Sequence, residues 1–367
     1  MPIIHSKLNM VHFAILGAAG GGGGRVTSNY QHTDHTLGNG GCGSLVTATY
    51  YITRGTTLYY FIGKGGQGGR STATAASHTT YGGDGAGDAT TGDNDTGAEG
   101  GEFSGIFTAN GVSNTNALVI AGGGGGAAGR PHGAHNAVDN RCNGGGGISS
   151  ATDGHGNDGT QGNQTPTLSG TSDGSAEGGQ KNAGGRAGTA SGTSRNQGGA
   201  GSNWYGGAGS RTSHWGNGGG GGAGLYGGGG GADDGDSWGG QGGGAGSSYI
   251  RGYITDYTDS NLNSQNHELA KGYFWTQAHG HTGGTAANGH TALNMRNPEV
   301  AIEAHTGNLS SPTTTYGYGG QHTETYAGVG TDGKQGIICY KVDFGVRGEG
   351  SWIQLTSPIN ALTAFTI

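Results

Sequence analysis

Residues 117–126 read Ala-Leu-Val-Ile-Ala-Gly-Gly-Gly-Gly-Gly, so that a short apolar run leads directly into five consecutive glycines. The same junction occurs at residues 11–24 and 58–69, and glycine makes up 91 of the 367 residues. Glycine loses more backbone freedom on folding than any other residue. Such blocks are therefore either unfolded linkers or segments whose missing Cβ atoms let backbones pack closely. Because the glycine blocks directly follow runs of strand-forming residues, we favour the interpretation that their backbones pack closely.

The glycine blocks do not have the pattern of collagen, which needs glycine at every third residue and abundant proline. This chain has 6 prolines and contains uninterrupted glycine runs such as residues 122–126. The remaining ordered form is polyglycine II, with three residues per turn and no hydrogen bonds within a helix. Its amides must bond sideways to neighbouring helices. We therefore expect an all-β framework joined to a polyglycine II bundle and irregular glycine-rich structure.

Several runs rich in β-branched and aromatic residues predict strands. They cover residues 11–16, 45–53, 57–62, 117–121 and 336–344. The short link Arg54-Gly55-Thr56 predicts a hairpin between the second and third of these strands. Helix-like composition is confined to residues 263–271.

Two long polar stretches, residues 71–116 and 252–335, interrupt the strand pattern and are expected to face outward. The first is interpreted as an insertion within a framework and glycine-rich domain covering residues 1–251. The second is interpreted as a separate loop-rich insertion. Residues 336–367 then supply a closing strand and a C-terminal assembly segment.

Four motifs follow one another along the chain, and a family resemblance rests on them. They are Leu-Tyr-Tyr-Phe-Ile-Gly-Lys-Gly-Gly-Gln-Gly-Gly at 58–69, Leu-Val-Ile-Ala at 118–121, Gly-Ala-Gly-Ser-Ser-Tyr-Ile at 244–250 and Gly-Ile-Ile-Cys-Tyr-Lys-Val at 336–342. Together they resemble the glycine-rich domain of receptors of the anaplastic lymphoma kinase type and its relatives in microbial and viral surface proteins. That resemblance implies a jelly-roll-like β framework carrying polyglycine II helices.

The resemblance is limited to the fold. Phage tail-tip adhesins with polyglycine sandwiches are similar in composition, but no specific motif links them to this chain. The stretch between residues 250 and 336 is longer than the family leads us to expect, and nothing resembles a kinase. We therefore do not infer a role in receptor signalling from this resemblance.

Charge and hydropathy exclude two classes of partner. Charged residues make up 11% of the chain, the formal net charge is −7, and no basic patch indicates nucleic acid binding. No apolar run approaches the roughly 18 residues of a membrane-spanning helix. Residues 1–16 are interpreted as a strand of the mature protein and not as a signal peptide.

Cysteines and histidines provide weak candidates for covalent or metal chemistry. Cys42, Cys142 and Cys339 lack metal-type spacing, so buried free thiols are favoured over a Cys42–Cys142 disulfide, which stays an alternative. His279 and His281 could place two imidazoles on one strand face and bind a transition metal, whereas exposed loop histidines are the alternative. We expect no cofactor.

Acidic clusters and a hydrolase-like motif have simpler interpretations. Two acidic clusters, at residues 93–99 and 233–236, are expected to be solvated turns more than calcium sites. The sequence Gly-Thr-Ser-Asp-Gly at 170–174 matches the nucleophile motif of hydrolases but lacks the required apolar strand before it. The sequence therefore predicts no enzyme.

Aromatic residues occur at irregular intervals within the longest glycine region. They are Trp204, Tyr205, Trp215, Tyr226 and Trp238. Aromatic faces at loop tips suit contact with carbohydrate or protein. The alternative is that these rings cap the glycine bundle against water or pack into a neighbouring subunit.

These observations favour a non-enzymatic structural protein that assembles with copies of itself into a fibre, filament or shell. We expect it outside a cell or on a virion surface. The alternative is an adhesin that recognises a host glycan or outer-membrane protein through its aromatic and polar loops.

Overall fold

The computed structural model has antiparallel β-sheets and extended glycine segments, and none of the described residues is helical. It describes residues 8–24, 38–70, 79–85, 96–129, 144–145, 176–180, 182–189, 197–210, 217–233, 240–252, 267–275, 316–317, 319–321, 329–343, 352–355 and 359–367. The expectation of an all-β protein is confirmed. Within these ranges, no helix has the length and hydropathy to cross a membrane.

The first sheet has five strands in the order β11-β10-β1-β2-β9, and every neighbouring pair is antiparallel. Its strands are β1 (Leu8–Leu16), β2 (Leu45–Thr53), β9 (His267–Trp275), β10 (Ile337–Asp343) and β11 (Ile353–Leu355). The β1–β2 register runs without interruption from the pair Leu8–Thr53 to the pair Leu16–Leu45. These strands form because β-branched and aromatic residues fit a pleated, buried surface.

The second sheet also has five antiparallel strands, in the order β12-β3-β4-β5-β8. They are β3 (Thr57–Phe61), β4 (Ser104–Phe107), β5 (Ala117–Ala121), β8 (Tyr249–Ile250) and β12 (Thr363–Thr366). A separate two-stranded sheet pairs β6 (Asn203–Trp204) with β7 (Gly224–Tyr226).

The two five-stranded sheets share one hydrophobic cluster. Phe13, Ile15 and Tyr50 of the first sheet belong to the same cluster as Leu58 and Val119 of the second. The Tyr50 hydroxyl donates to the backbone carbonyls of Leu118 and Arg251, at 3.1 and 2.7 Å, which satisfies its polar atom inside the cluster. Burial raises the pKa of this phenol well above its usual range.

The predicted hairpin at residues 54–56 is wrong. β2 pairs with β1 and β9, whereas β3 pairs with β12 and β4, so that this turn passes from one sheet to the other. Gly55 has a φ of +84°, and its amide donates to the carbonyl of Ile367. The turn residues were identified correctly, but turn chemistry does not determine which partner each strand takes.

Two strands, β9 and β4, contradict other expectations. The helix-like composition of residues 263–271 is misleading, because β9 starts at His267 and pairs with β2. The supposedly outward-facing stretch 71–116 contains the buried strand β4. The polar stretch 252–335 contains β9, which joins it to the first sheet, and β12 joins the C-terminal residues to the second sheet.

The glycine segment of residues 17–24 bonds sideways with a three-residue period. Its amides donate in rotation to residues 38–44, 96–102 and 331–334. For the first of these neighbours, the donor–acceptor pairs are Gly17–Ser44, Gly20–Gly41 and Gly23–Gly38, at 2.9 to 3.0 Å. The carbonyls of residues 18–22 accept from three further segments, which contribute Gly124 and Ala127, Gly66 and Gly69, and Gly320. Residues 17–24 therefore have six hydrogen-bonded neighbours.

The glycine segment of residues 122–128 has the same surroundings. It donates to residues 220–223, 18–21 and 145, and it accepts from residues 98–101, 41–44 and 243–246. At particular glycines such spacing leaves no room for a side chain. A Cβ atom added to Gly20, Gly124 or Gly220 would lie 2.0, 2.0 or 1.9 Å from a backbone carbonyl oxygen.

Candidate binding surface

The two-stranded sheet directs two consecutive aromatic residues to opposite environments. Trp204 of β6 is 5% exposed, whereas the next residue, Tyr205, is 48% exposed. The β6–β7 register shifts between Asn203 and Trp204, and Trp204 has a φ of +73°, a left-handed value that bulky residues rarely adopt. β-bulges and strained residues of this kind are enriched where a protein must aim a side chain.

Trp204 is held in place by the aromatic cluster beside the second sheet. Its ring lies 5.2 Å from the ring of Phe103 and 5.9 Å from that of Phe107. Phe103 is in turn 5.1 Å from Tyr81, and Tyr81 is 5.1 Å from Tyr205. The rings thus form a continuous series from the buried cluster to the surface, and Tyr205 is at its exposed end.

Two hydrogen-bonded asparagines accompany this exposed end, since Asn203 precedes Tyr205 by two residues. The Asn203 Nδ2 atom donates to the Leu225 carbonyl at 2.8 Å and to the Asn114 Oδ1 atom at 2.9 Å. Because a carbonyl can only accept, the Leu225 contact fixes the orientation of the Asn203 amide. Asn114, Ser202 and Asn203 are all exposed. Tyr81, Tyr205, Asn203 and Asn114 together are called the aromatic platform below.

A buried carboxylate lies beneath the platform. The Glu102 carboxylate accepts from the backbone amides of Thr80 and Tyr81, at 2.6 and 3.2 Å, and this fixes the turn that carries Tyr81. Burial raises the pKa of the Tyr81 phenol, and the nearby Tyr205 and Glu102 raise it further. The Tyr81 hydroxyl therefore remains protonated at neutral pH and can donate a hydrogen bond.

The aromatic residues selected from the sequence lie in different environments. Trp204 is buried, whereas Tyr205 is exposed and Tyr226 is partly buried. Trp215 and Trp238 lie outside the described residues. Tyr81 was not a candidate, since it is 124 residues from Tyr205 in the sequence and no local pattern connects them.

The metal and disulfide candidates stay predictions. His279, His281 and Cys142 lie outside the described residues, and the part of the chain that is described has no group of three or more metal-ligating side chains. Cys42 is a buried free thiol, and burial raises its pKa to about 11. The solvated-turn interpretation is wrong for two members of the acidic clusters, because Glu99 and Asp233 are 0% and 1% exposed.

A histidine network crosses the first sheet, and its Asp-His-Thr order has the form of a nucleophilic triad. His12 Nε2 lies 2.8 Å from Asp343 Oδ2, and His12 Nδ1 lies 2.9 Å from Thr49 Oγ1. Lys341 Nζ is 3.4 Å from the other oxygen of Asp343. His12 and Thr49 are only 8% and 9% exposed, so the hydroxyl is not presented to a substrate. We interpret the network as a structural link between β10, β1 and β2.

Replacing His12 by leucine should lower the free energy of unfolding by about 1 to 3 kcal/mol, because the buried Thr49 hydroxyl and the partly buried Asp343 carboxylate lose a partner. Met10→Leu on the same strand is the control, since this apolar exchange should cost less than about 1.5 kcal/mol. Urea unfolding followed by circular dichroism gives both values. Equal values for the two variants would contradict the structural link.

Comparisons with protein-family models, with curated proteins and with solved structures found no match for this chain.

Proposed function

We propose that the glycine segments form a polyglycine II bundle carried by a jelly-roll-like β framework. The period of three in the hydrogen bonds of residues 17–24 supports this proposal, since polyglycine II has three residues per turn. The six neighbours of residues 17–24 and of residues 122–128 are the number expected for a hexagonal bundle of parallel rods.

The function proposed for this body is that of a non-enzymatic structural protein in an extracellular or virion surface assembly. The observation that carries this proposal is the sideways bonding of segments far apart in the sequence. Residues 17–24, for example, bond to residues 96–102 and 331–334. Every such bond links parts of the chain that would separate on unfolding. A protein whose distant segments are hydrogen-bonded in this way is better suited to a rigid assembly than to the movements of an enzyme active site.

Self-association is proposed to use the outer segments of the bundle. Residues 197–202 and 205–210 present Ala200 and Ala208 to solvent. Neither of these alanine amides donates a hydrogen bond within the described part of the chain, although the amides beside them bond to neighbouring segments. A neighbouring copy could therefore continue the same pattern of backbone bonds at this side of the bundle.

Sedimentation velocity and negative-stain microscopy of the purified chain test this assignment. We expect the sedimentation coefficient to rise with protein concentration and the micrographs to contain polymers. The double variant Ala200→Glu/Ala208→Glu should remain monomeric, because it places charge on the outer segments. Val329→Glu, at a position that is 53% exposed, is the control and should still assemble. A wild-type chain that remains monomeric at every concentration contradicts the proposal.

A further inference from the structure

The aromatic platform combines an exposed ring with open amide groups. Tyr205 is 48% exposed and is supported from behind by Tyr81. Both hydrogen bonds of the Asn203 side chain are donated by Nδ2, which leaves its Oδ1 atom open as an acceptor. The Asn114 side chain accepts through Oδ1, which leaves its Nδ2 atom open as a donor. The platform therefore combines an exposed aromatic ring with one acceptor and one donor.

We propose that the aromatic platform binds a saccharide. One face of a sugar ring carries C–H groups that pack on an aromatic ring, and its hydroxyl groups both donate and accept hydrogen bonds. Tyr205 supplies the ring, and Asn203 Oδ1 and Asn114 Nδ2 supply an acceptor and a donor for neighbouring hydroxyls. The Tyr81 hydroxyl, held in its protonated form, adds a further donor.

The platform is also held in place before any ligand arrives. Trp204, the residue before Tyr205, packs among Phe103 and Phe107. The Tyr205 backbone carbonyl accepts from the Ser202 amide at 2.8 Å. The Gly206 amide donates to the Tyr81 carbonyl at 2.9 Å, which joins the two tyrosine-bearing segments directly. Binding then freezes few additional side-chain rotations, and this favours a weakly interacting ligand such as a sugar.

This inference does not depend on the proposed assembly. Ala200 and Ala208 carry the assembly proposal, and neither belongs to the aromatic platform. A chain that stays monomeric could still bind a saccharide, and a polymer could lack the site. The two proposals can therefore fail separately.

A glycan array carrying neutral, sialylated and N-acetylated oligosaccharides is the first test, followed by calorimetry with the saccharide that gives the strongest signal. We expect Tyr205→Ala to weaken binding by about tenfold or more, because it removes the stacking ring. Tyr205→Trp should retain binding. Tyr51→Ala is the matched control, since Tyr51 is 42% exposed on the first sheet and should not affect binding.

Three results would overturn the proposal. The first is a wild-type signal on the array that does not exceed that of Tyr205→Ala. The second is equal loss of binding in Tyr205→Ala and Tyr51→Ala. The third is a Tyr205→Ala variant that loses self-association while the wild-type chain binds no saccharide, which would assign the platform to contact between copies. Circular dichroism of each variant shows that the fold is retained.

Discussion

Replacing Gly124 by alanine is expected to lower the free energy of unfolding by about 3 kcal/mol or more, or to prevent folding altogether. The added Cβ atom would lie 2.0 Å from the Gly41 carbonyl oxygen and 2.5 Å from the Gly41 carbonyl carbon. Both atoms belong to backbone that is itself hydrogen-bonded, since the Gly41 amide donates to the Gly125 carbonyl. Relief of this contact would require two bonded segments to move apart.

Space at Gly124, and not its backbone conformation, forbids the side chain. Gly124 is not among the described residues with positive φ, so alanine could adopt its backbone angles. Alanine does occur inside the glycine segments, at Ala18, Ala19 and Ala127, each of which is 0% exposed. Methyl groups are therefore tolerated at particular positions of the bundle, and the predicted cost is specific to the contact with Gly41.

Gly199→Ala is the matched control for this prediction. Gly199 belongs to an outer segment, and the nearest atom to an added Cβ is the Ala208 nitrogen at 3.0 Å. The neighbour must move only a few tenths of an ångström, so we expect a change within about 1 kcal/mol. Urea unfolding followed by circular dichroism compares the two variants. A Gly124→Ala protein as stable as Gly199→Ala would refute the close packing of these segments.

The strands were predictable where the local pattern was strong. The expected strand at residues 45–53 coincides with β2, because this run is rich in β-branched and aromatic residues. Strand pairing was not predictable in the same way. The turn at Gly55 indicates only a change of direction, whereas the choice between hairpin and crossover depends on β1, β9, β4 and β12, which are distant in the sequence.

The candidate site was only partly predictable for the same reason. The dense aromatic residues identified Tyr205, but the contact of Tyr205 with Tyr81 depends on how the glycine segments pack. The carboxyl groups of Glu99 and Glu102 illustrate the difficulty further. Their spacing of three residues matches the period of the bundle, yet acidic residues in a polar stretch normally indicate solvent exposure.

These two buried glutamates form a brace between the bundle and the turn at residues 79–81. Glu99 accepts from the Gln67 amide at 3.0 Å and the Thr79 amide at 2.6 Å, and Glu102 accepts from the Lys64 amide at 2.8 Å. Lys64 and Gln67 are also three residues apart. The spacing of the two carboxylates therefore matches the spacing of the two amides from which they accept.

Replacing Glu102 by alanine should lower the free energy of unfolding by about 3 kcal/mol. The amides of Lys64, Thr80 and Tyr81 all lose their acceptor. An unsatisfied buried amide costs about 1 to 3 kcal/mol, and partial solvation of the exposed Thr80 reduces the sum. Glu177→Ala is the control, because Glu177 pairs with Arg186, whose side chain is 82% exposed, and such pairs contribute about 0 to 1 kcal/mol. Equal losses in the two variants would contradict the brace.

The same carboxyl group should make stability depend on pH. Burial raises the pKa of Glu102 above its ordinary value of 4.5; the three amides that it accepts lower this pKa in part, and the nearby Glu99 raises it. Between pH 4.5 and the raised pKa, the Glu102 carboxyl group holds a proton in the folded chain that it has released in the unfolded chain. The stability gained from this bound proton is thus complete below pH 4.5 and is lost as the pH rises through the folded-state pKa of Glu102, whereas the hydrogen bonds from the three amides remain.

Glu102→Gln isolates this effect, because glutamine keeps the shape of the side chain and cannot ionise. Unfolding free energies measured at about pH 4 and pH 7 give one difference for each protein. Titrating groups that do not interact with Glu102 contribute equally to both differences. The free energy lost between the two pH values should be smaller in Glu102→Gln than in the wild-type chain. An unchanged difference would mean that the Glu102 carboxyl titrates alike in the folded and unfolded chains, and its burial would then impose no electrostatic cost on the brace.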